Sequence, residues 1–142
     1  MQIYESYSYN DTQKIAAEIA GSLKGGDFIA MYGDLGAGKT AFVQGLAKAL
    51  GITSNITSPT FTIINEYEGR LPLYHFDVYR IADCDEMYEI GYDEYISGDG
   101  VCIIEWAELI EEMIPENAVW IKIEKNLEKG IDYRKITFGG KE

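Results

Sequence analysis

An apolar run, Phe28-Ile29-Ala30-Met31-Tyr32, leads directly into Gly33-Asp34-Leu35-Gly36-Ala37-Gly38-Lys39-Thr40. Three glycines in eight residues allow backbone torsions and a closeness of approach that a Cβ would block. The apolar run has the length and composition of a buried strand, and a helical period begins at Lys39. A chain with these three parts in this order is committed to a strand–loop–helix unit, hence to a sheet covered by helices. The spacing fills G-x-x-x-x-G-K-[ST] with Gly33, Gly38, Lys39 and Thr40. At ordinary residue frequencies a chain of this length meets that pattern by chance roughly once in 200.

The residue types explain the pattern. Successive N–H groups of residues 36–40 can converge as an anion-binding nest at the positive end of the following helix. Lys39 adds a point charge with reach to the β- and γ-phosphates, and the Thr40 hydroxyl suits Mg²⁺. The expectation is a phosphate-binding loop that wraps a nucleoside triphosphate tail. Its cofactor-binding set is Gly33, Asp34, Leu35, Gly36, Ala37, Gly38, Lys39, Thr40 and Ala41. The guanine-reading order Asn/Thr-Lys-x-Asp is absent, since Glu124-Lys125-Asn126-Leu127 has the wrong order. ATP is left by elimination.

The rest of the chain supplies the sheet. Residues 2–8 read as a first strand. Asn10-Asp11-Thr12 offers N-cap chemistry for a helix whose apolar face is Ile15, Ala16, Ile19 and Leu23, stopped by Gly25-Gly26. A helix from Lys39 to Leu50 ends at Gly51, and residues 52–60 form an irregular loop rich in Ser, Thr, Asn and Pro. Residues 61–67 and 71–79 make one hairpin; 118–124 and 131–138 make a second, turning through Asn126 and Gly130. Between them lie short helical pieces over 83–97, a strand at Val101-Cys102-Ile103-Ile104-Glu105 and a short helix at 106–113. The expected fold is α/β in one domain over 1–142: a nucleoside-triphosphatase-like mixed sheet, parallel in its core with antiparallel hairpins, flanked by helices.

Composition narrows the partners. Twelve Lys and Arg face 24 Asp and Glu, a net charge of −12, which repels phosphate backbones and lacks the footprint of a nucleic-acid binder. Any service to nucleic acid is therefore expected to be indirect. No apolar run approaches the ~20 residues of a membrane span, and the opening MQIYESYSYN has no secretory pattern. Two cysteines, Cys84 and Cys102, suit a reduced, cytoplasmic compartment.

A triphosphate loop needs carboxylates to hold Mg²⁺ or orient the attacking water. Glu105 stands at the carboxyl end of VCIIE, where α/β sheets present ligand-binding residues. Asp77, in LYHFDVYR, is the second candidate. Ser58-Pro59-Thr60 could swing a hydroxyl toward the γ-phosphate as switch segments do. His75, the single histidine, reads as a strand residue with one hydrogen bond, and Trp106 as packing at a strand–helix junction. Tyr88, Tyr92 and Tyr95 hint at a partner patch.

These segments together resemble the bacterial TsaE family, also called YjeE: the P-loop ATPases of tRNA threonylcarbamoyladenosine biosynthesis. GDLGAGKT at 33–40, SPTF at 58–61, His75-Phe76-Asp77-Val78-Tyr79-Arg80 and IIEWAE at 103–108 carry the resemblance, in order and spacing. It implies that Lys39 contacts phosphate and that Thr40 with Glu105 holds Mg²⁺. It further implies that Thr60 belongs to a switch-like loop, that Asp77 assists metal or water, and that Trp106 lies beside the nucleotide. The catalytic set is then Asp77, Glu105 and Lys39, with Thr40, Glu105 and Asp77 as metal ligands. The partners it implies are the TsaD and TsaB proteins, with tRNA met only indirectly and no membrane. With only Arg70, Arg80 and Arg134 and no recognisable arginine finger, the activity is expected to be weak without a partner. Two other readings use the same loop: a small-molecule kinase, for which three scattered arginines make a poor lid, and a nucleotide-gated assembly module that needs no hydrolysis.

Overall fold

The computed structural model describes residues 2–33, 39–54, 56, 64–81 and 83–139. They form seven strands: β1 (Gln2–Ser6), β2 (Phe28–Gly33), β3 (Ile64–Tyr67), β4 (Leu73–Asp77), β5 (Val101–Glu105), β6 (Val119–Lys125) and β7 (Arg134–Gly139). Four α-helices accompany them, α1 (Tyr9–Ala20), α2 (Lys39–Ala49), α3 (Asp85–Glu89) and α4 (Tyr92–Ile96), with a 3₁₀ segment over Ala107–Met113. The strands lie in the order β1-β7-β6-β2-β5-β4-β3. β6, β2, β5 and β4 run parallel; β3 and the β7–β1 pair add antiparallel margins. The expected parallel core with antiparallel hairpins is what forms.

Strand periodicity divides the core in two. Ile29 and Met31 of β2 join Ile103, Ile121 and Ile123 beneath Ile15, Ile19, Phe42 and Leu46 of α1 and α2. The alternate residues Phe28 and Ala30 join Phe76, Cys102, Ile104 and Trp120 on the opposite face, beside Met87, Tyr92 and Ile110. Both faces of the parallel strands are thus covered, as such strands require. α1 and α2 approach so closely that a Cβ on Gly45 would stand 2.5 Å from the Gln13 carbonyl oxygen.

Element boundaries differ from the sequence reading, most of all at α1. α1 is capped by Ser8, whose extended backbone lets its hydroxyl accept from the Asp11 N–H at 3.0 Å. The Asp11 carboxylate in turn accepts from the Tyr7 N–H at 3.0 Å, tying the residue before the cap to the first turn. The helix stops at Gly21, before Gly25-Gly26, and Leu23 reaches the core from the turn that follows. The short helix expected after β5 forms over Ala107–Met113 as a 3₁₀ helix interrupted at Ile110. The first hairpin is described only from Ile64 onward; residues 61–63 lie outside the described residues.

Cys102 sits inside β5, and its thiol donates to the Tyr95 carbonyl at 3.5 Å. Burial pushes this thiol up to about 12. Cys84 donates to Glu112, whose carboxylate raises that thiol to about 11. Both cysteines are free. No helix among the described residues is long and apolar enough to cross a membrane.

Candidate functional site

Three parallel strands end side by side. β2 ends at Gly33, β4 at Asp77 and β5 at Glu105; Asp77 lies opposite Glu105 in register, and Glu105 opposite Met31. In open α/β sheets this carboxyl edge is where ligands are met. Gly33 has φ +133°, and a Cβ there would collide with the Ile123 carbonyl of β6. The strand therefore leaves the sheet through a position open only to glycine.

α2 begins at Lys39, with Thr40 exposed and Ala41 buried just behind it. Lys39 is only 6% exposed, an uncommon burial for an unpaired ammonium. Its Nζ has no hydrogen-bond partner among the described residues. It lies 4.0 Å from the centroid of the Trp106 ring, a cation–π contact that offsets part of the lost hydration. Trp106 also meets the Tyr79 ring, with centroids 4.7 Å apart. Among the described residues it is the one non-glycine with positive φ, +64°, a conformation that costs an L-residue about 1–2 kcal/mol. Trp106 is thus more than the junction packing its residue type suggests: the left-handed turn after β5 carries the ring onto Lys39.

The carboxylates differ in setting. Glu105 is 4% exposed, and its Oε2 is 2.6 Å from His75 Nε2. The single hydrogen bond expected of His75 is made here. Asp77 is half-buried, with Oδ1 accepting from the Tyr79 N–H at 3.0 Å. Burial holds the Asp77 carboxyl above the usual carboxylate range, and the Glu105 charge adds to the rise. The Tyr79 N–H, His75 and Lys39 pull it down. No three His, Cys, Asp or Glu side chains among the described residues form a metal-holding cluster. Mg²⁺ commonly takes one or two carboxylates plus substrate phosphates and waters instead.

Of the expected site residues, Gly33, Lys39, Thr40, Ala41, Asp77, Glu105 and Trp106 stand at or beside this strand edge. Asp34, Leu35, Gly36, Ala37, Gly38 and Thr60 lie outside the described residues. The tyrosine cluster divides: Tyr92 is core, Tyr95 is half-buried and bonds Glu66, and Tyr88 is exposed. Sequence reasoning missed the coupling of His75 to Glu105. The signal was the His75-x-Asp77 spacing, which puts both side chains on one strand face.

Comparison with known proteins follows the same line. Residues 6–136 match the family model described as threonylcarbamoyl adenosine biosynthesis protein TsaE. The tRNA threonylcarbamoyladenosine biosynthesis protein TsaE of Bacillus subtilis is 52% identical over 129 residues, covering 90% of this chain and 78% of that one. Its namesake from Treponema pallidum is 46% identical over 118 residues, covering 83% and 87%. The crystal structure of YdiB from Bacillus superposes with a TM-score of 0.79 at 44% identity, over 98% of this chain and 84% of that one.

Proposed function

The chain belongs to the TsaE family of tRNA threonylcarbamoyladenosine biosynthesis, and on that premise we propose that it serves there as a Mg²⁺-dependent ATPase, working with the TsaD and TsaB proteins and meeting tRNA only through them. One observation carries the reading. A buried lysine ammonium with no hydrogen-bond partner among the described residues opens α2, beside two carboxylates that end neighbouring parallel strands. A polyphosphate is the complement that such an ammonium lacks.

In this reading the main-chain N–H groups of residues 36–40 and the Lys39 ammonium bind the β- and γ-phosphates. Leaving Trp106 for phosphate gives Lys39 charge-assisted hydrogen bonds in place of a cation–π contact. Thr40 and Glu105 would hold Mg²⁺, which when bound supplies positive charge against the phosphate oxygens. Asp77, its carboxyl held above the ordinary range, is suited to orient and partly deprotonate the attacking water. Trp106 and Tyr79 wall the site on the side of Lys39.

Calorimetry and turnover test this together. Mg²⁺–ATP binds the wild-type chain, and Lys39→Ala weakens that binding about 100-fold, the loss of a bond between charged partners. Hydrolysis is slow for the chain alone and rises when TsaB and TsaD are added. Unchanged affinity in Lys39→Ala, or no uptake by wild type, overturns the reading.

A further inference from the structure

His75 and Glu105 are buried together. Their side chains are 1% and 6% exposed, and Nε2 meets Oε2 at 2.6 Å. The pairing of β4 with β5 makes the contact. Asp77 opposes Glu105 and His75 opposes Ile103, so His75, Asp77 and Glu105 share the sheet face on which Ile103 meets the α2 core. An ionised carboxylate only accepts, so the ring nitrogen that faces it carries the proton. The other ring nitrogen, Nδ1, is then an acceptor; it is buried without a partner among the described residues.

Packing alone does not account for this pair. An apolar side chain at 75 would fill the space without burying an unsatisfied nitrogen. What histidine adds is directional: it fixes one Glu105 oxygen and so sets the carboxylate plane. We propose that His75 is a positioning residue, holding Glu105 by Oε2 so that Oε1 is presented to the Mg²⁺ of the nucleotide. A partner of this kind behind a carboxylate ligand commonly governs metal affinity about 10–100-fold. The proposal rests on the assignment of Glu105 to the metal made above.

His75 is the single histidine, so its ring nitrogens can be followed by ¹⁵N NMR without assignment ambiguity. Wild type is expected to show Nε2 as the protonated nitrogen. The ring signals shift on addition of Mg²⁺ to the ATP-bound chain, and not on addition of ATP in EDTA. His75→Leu is expected to leave ATP affinity in EDTA within about twofold while raising the Mg²⁺ needed for half-saturation at least tenfold. His75→Gln, which restores an N–H donor toward Glu105, recovers most of that loss. A proton on Nδ1 instead, or equal Mg²⁺ requirements in the leucine variant and wild type, overturns the positioning role and leaves the ATPase reading standing. Should the leucine variant not fold, the tautomer and the glutamine variant decide. Failure of wild type to take up Mg²⁺–ATP overturns the ATPase reading itself, and this proposal with it.

Discussion

At the scale of single residues, the site is held together by groups that cost the fold something. Trp106 keeps a left-handed backbone at φ +64° while its ring covers the Lys39 ammonium. Two variants separate these contributions. Trp106→Ala loses the ring and keeps the strained torsion; Trp106→Gly loses the ring and releases it. Thermal melts are expected to place the glycine variant about 1 kcal/mol above the alanine variant, with nucleotide affinity equally reduced in both. Asp77 shows the same tension through pH. Burial raises its folded-state carboxyl above the unfolded one, so the folded chain holds that proton more tightly. The contribution to stability is present at low pH and lost as pH rises through the folded value. Asp77→Asn keeps an oxygen acceptor for the Tyr79 N–H and has no charge to bury. Its ligand-free melting temperature is expected to exceed wild type by a few degrees at neutral pH, the gap closing toward the acidic range, while hydrolysis falls.

At the scale of elements, α1 and α2 approach closely where Gly45 meets the Gln13 backbone. Gly45→Ala improves intrinsic helix propensity yet must force the two helices apart. A net destabilisation of about 1–3 kcal/mol is expected in denaturant titration. A more stable variant would show that the joint yields. Elements also show what a sequence discloses. The 28–33 strand and the 39–49 helix were legible because apolar periodicity and glycine chemistry agree there. The start of α1 was misplaced because three consecutive residues, Asn10-Asp11-Thr12, each have capping chemistry, while the actual cap is Ser8 paired with Asp11 three residues on. Which strands become neighbours was not legible. The second hairpin enters the sheet through β6 parallel to β2, a pairing set by register and by helix coverage across more than eighty intervening residues. Residue type and position point to Lys39, Asp77 and Glu105, which the fold brings to one strand edge. His75 was undervalued because its meaning depends on the β4–β5 register, and no local pattern states that register.

At the scale of the whole molecule, the candidate site and its support occupy different parts of one sheet. β2, β4 and β5 end in residues of the candidate site, whereas β1 and β7 contribute pairing and core. The charge of −12 discourages direct contact with a tRNA backbone, in keeping with the proposed action through other proteins. Cys102 lies in the middle of this sheet, between Phe28 of β2 and Tyr74 of β4. The native thiol, pushed up to about 12, is nearly inert at neutral pH, while one released by unfolding returns to about 8.5 and reacts. Iodoacetamide modification at Cys102, followed by peptide mass, is expected to track the global unfolding equilibrium across denaturant and to slow when Mg²⁺–ATP is present. A fast, denaturant-independent rate would mean that β5 loosens by itself. The sulfur thus serves as a sealed clock within the strand that carries Glu105, and each alkylated molecule records one occasion on which that strand came free.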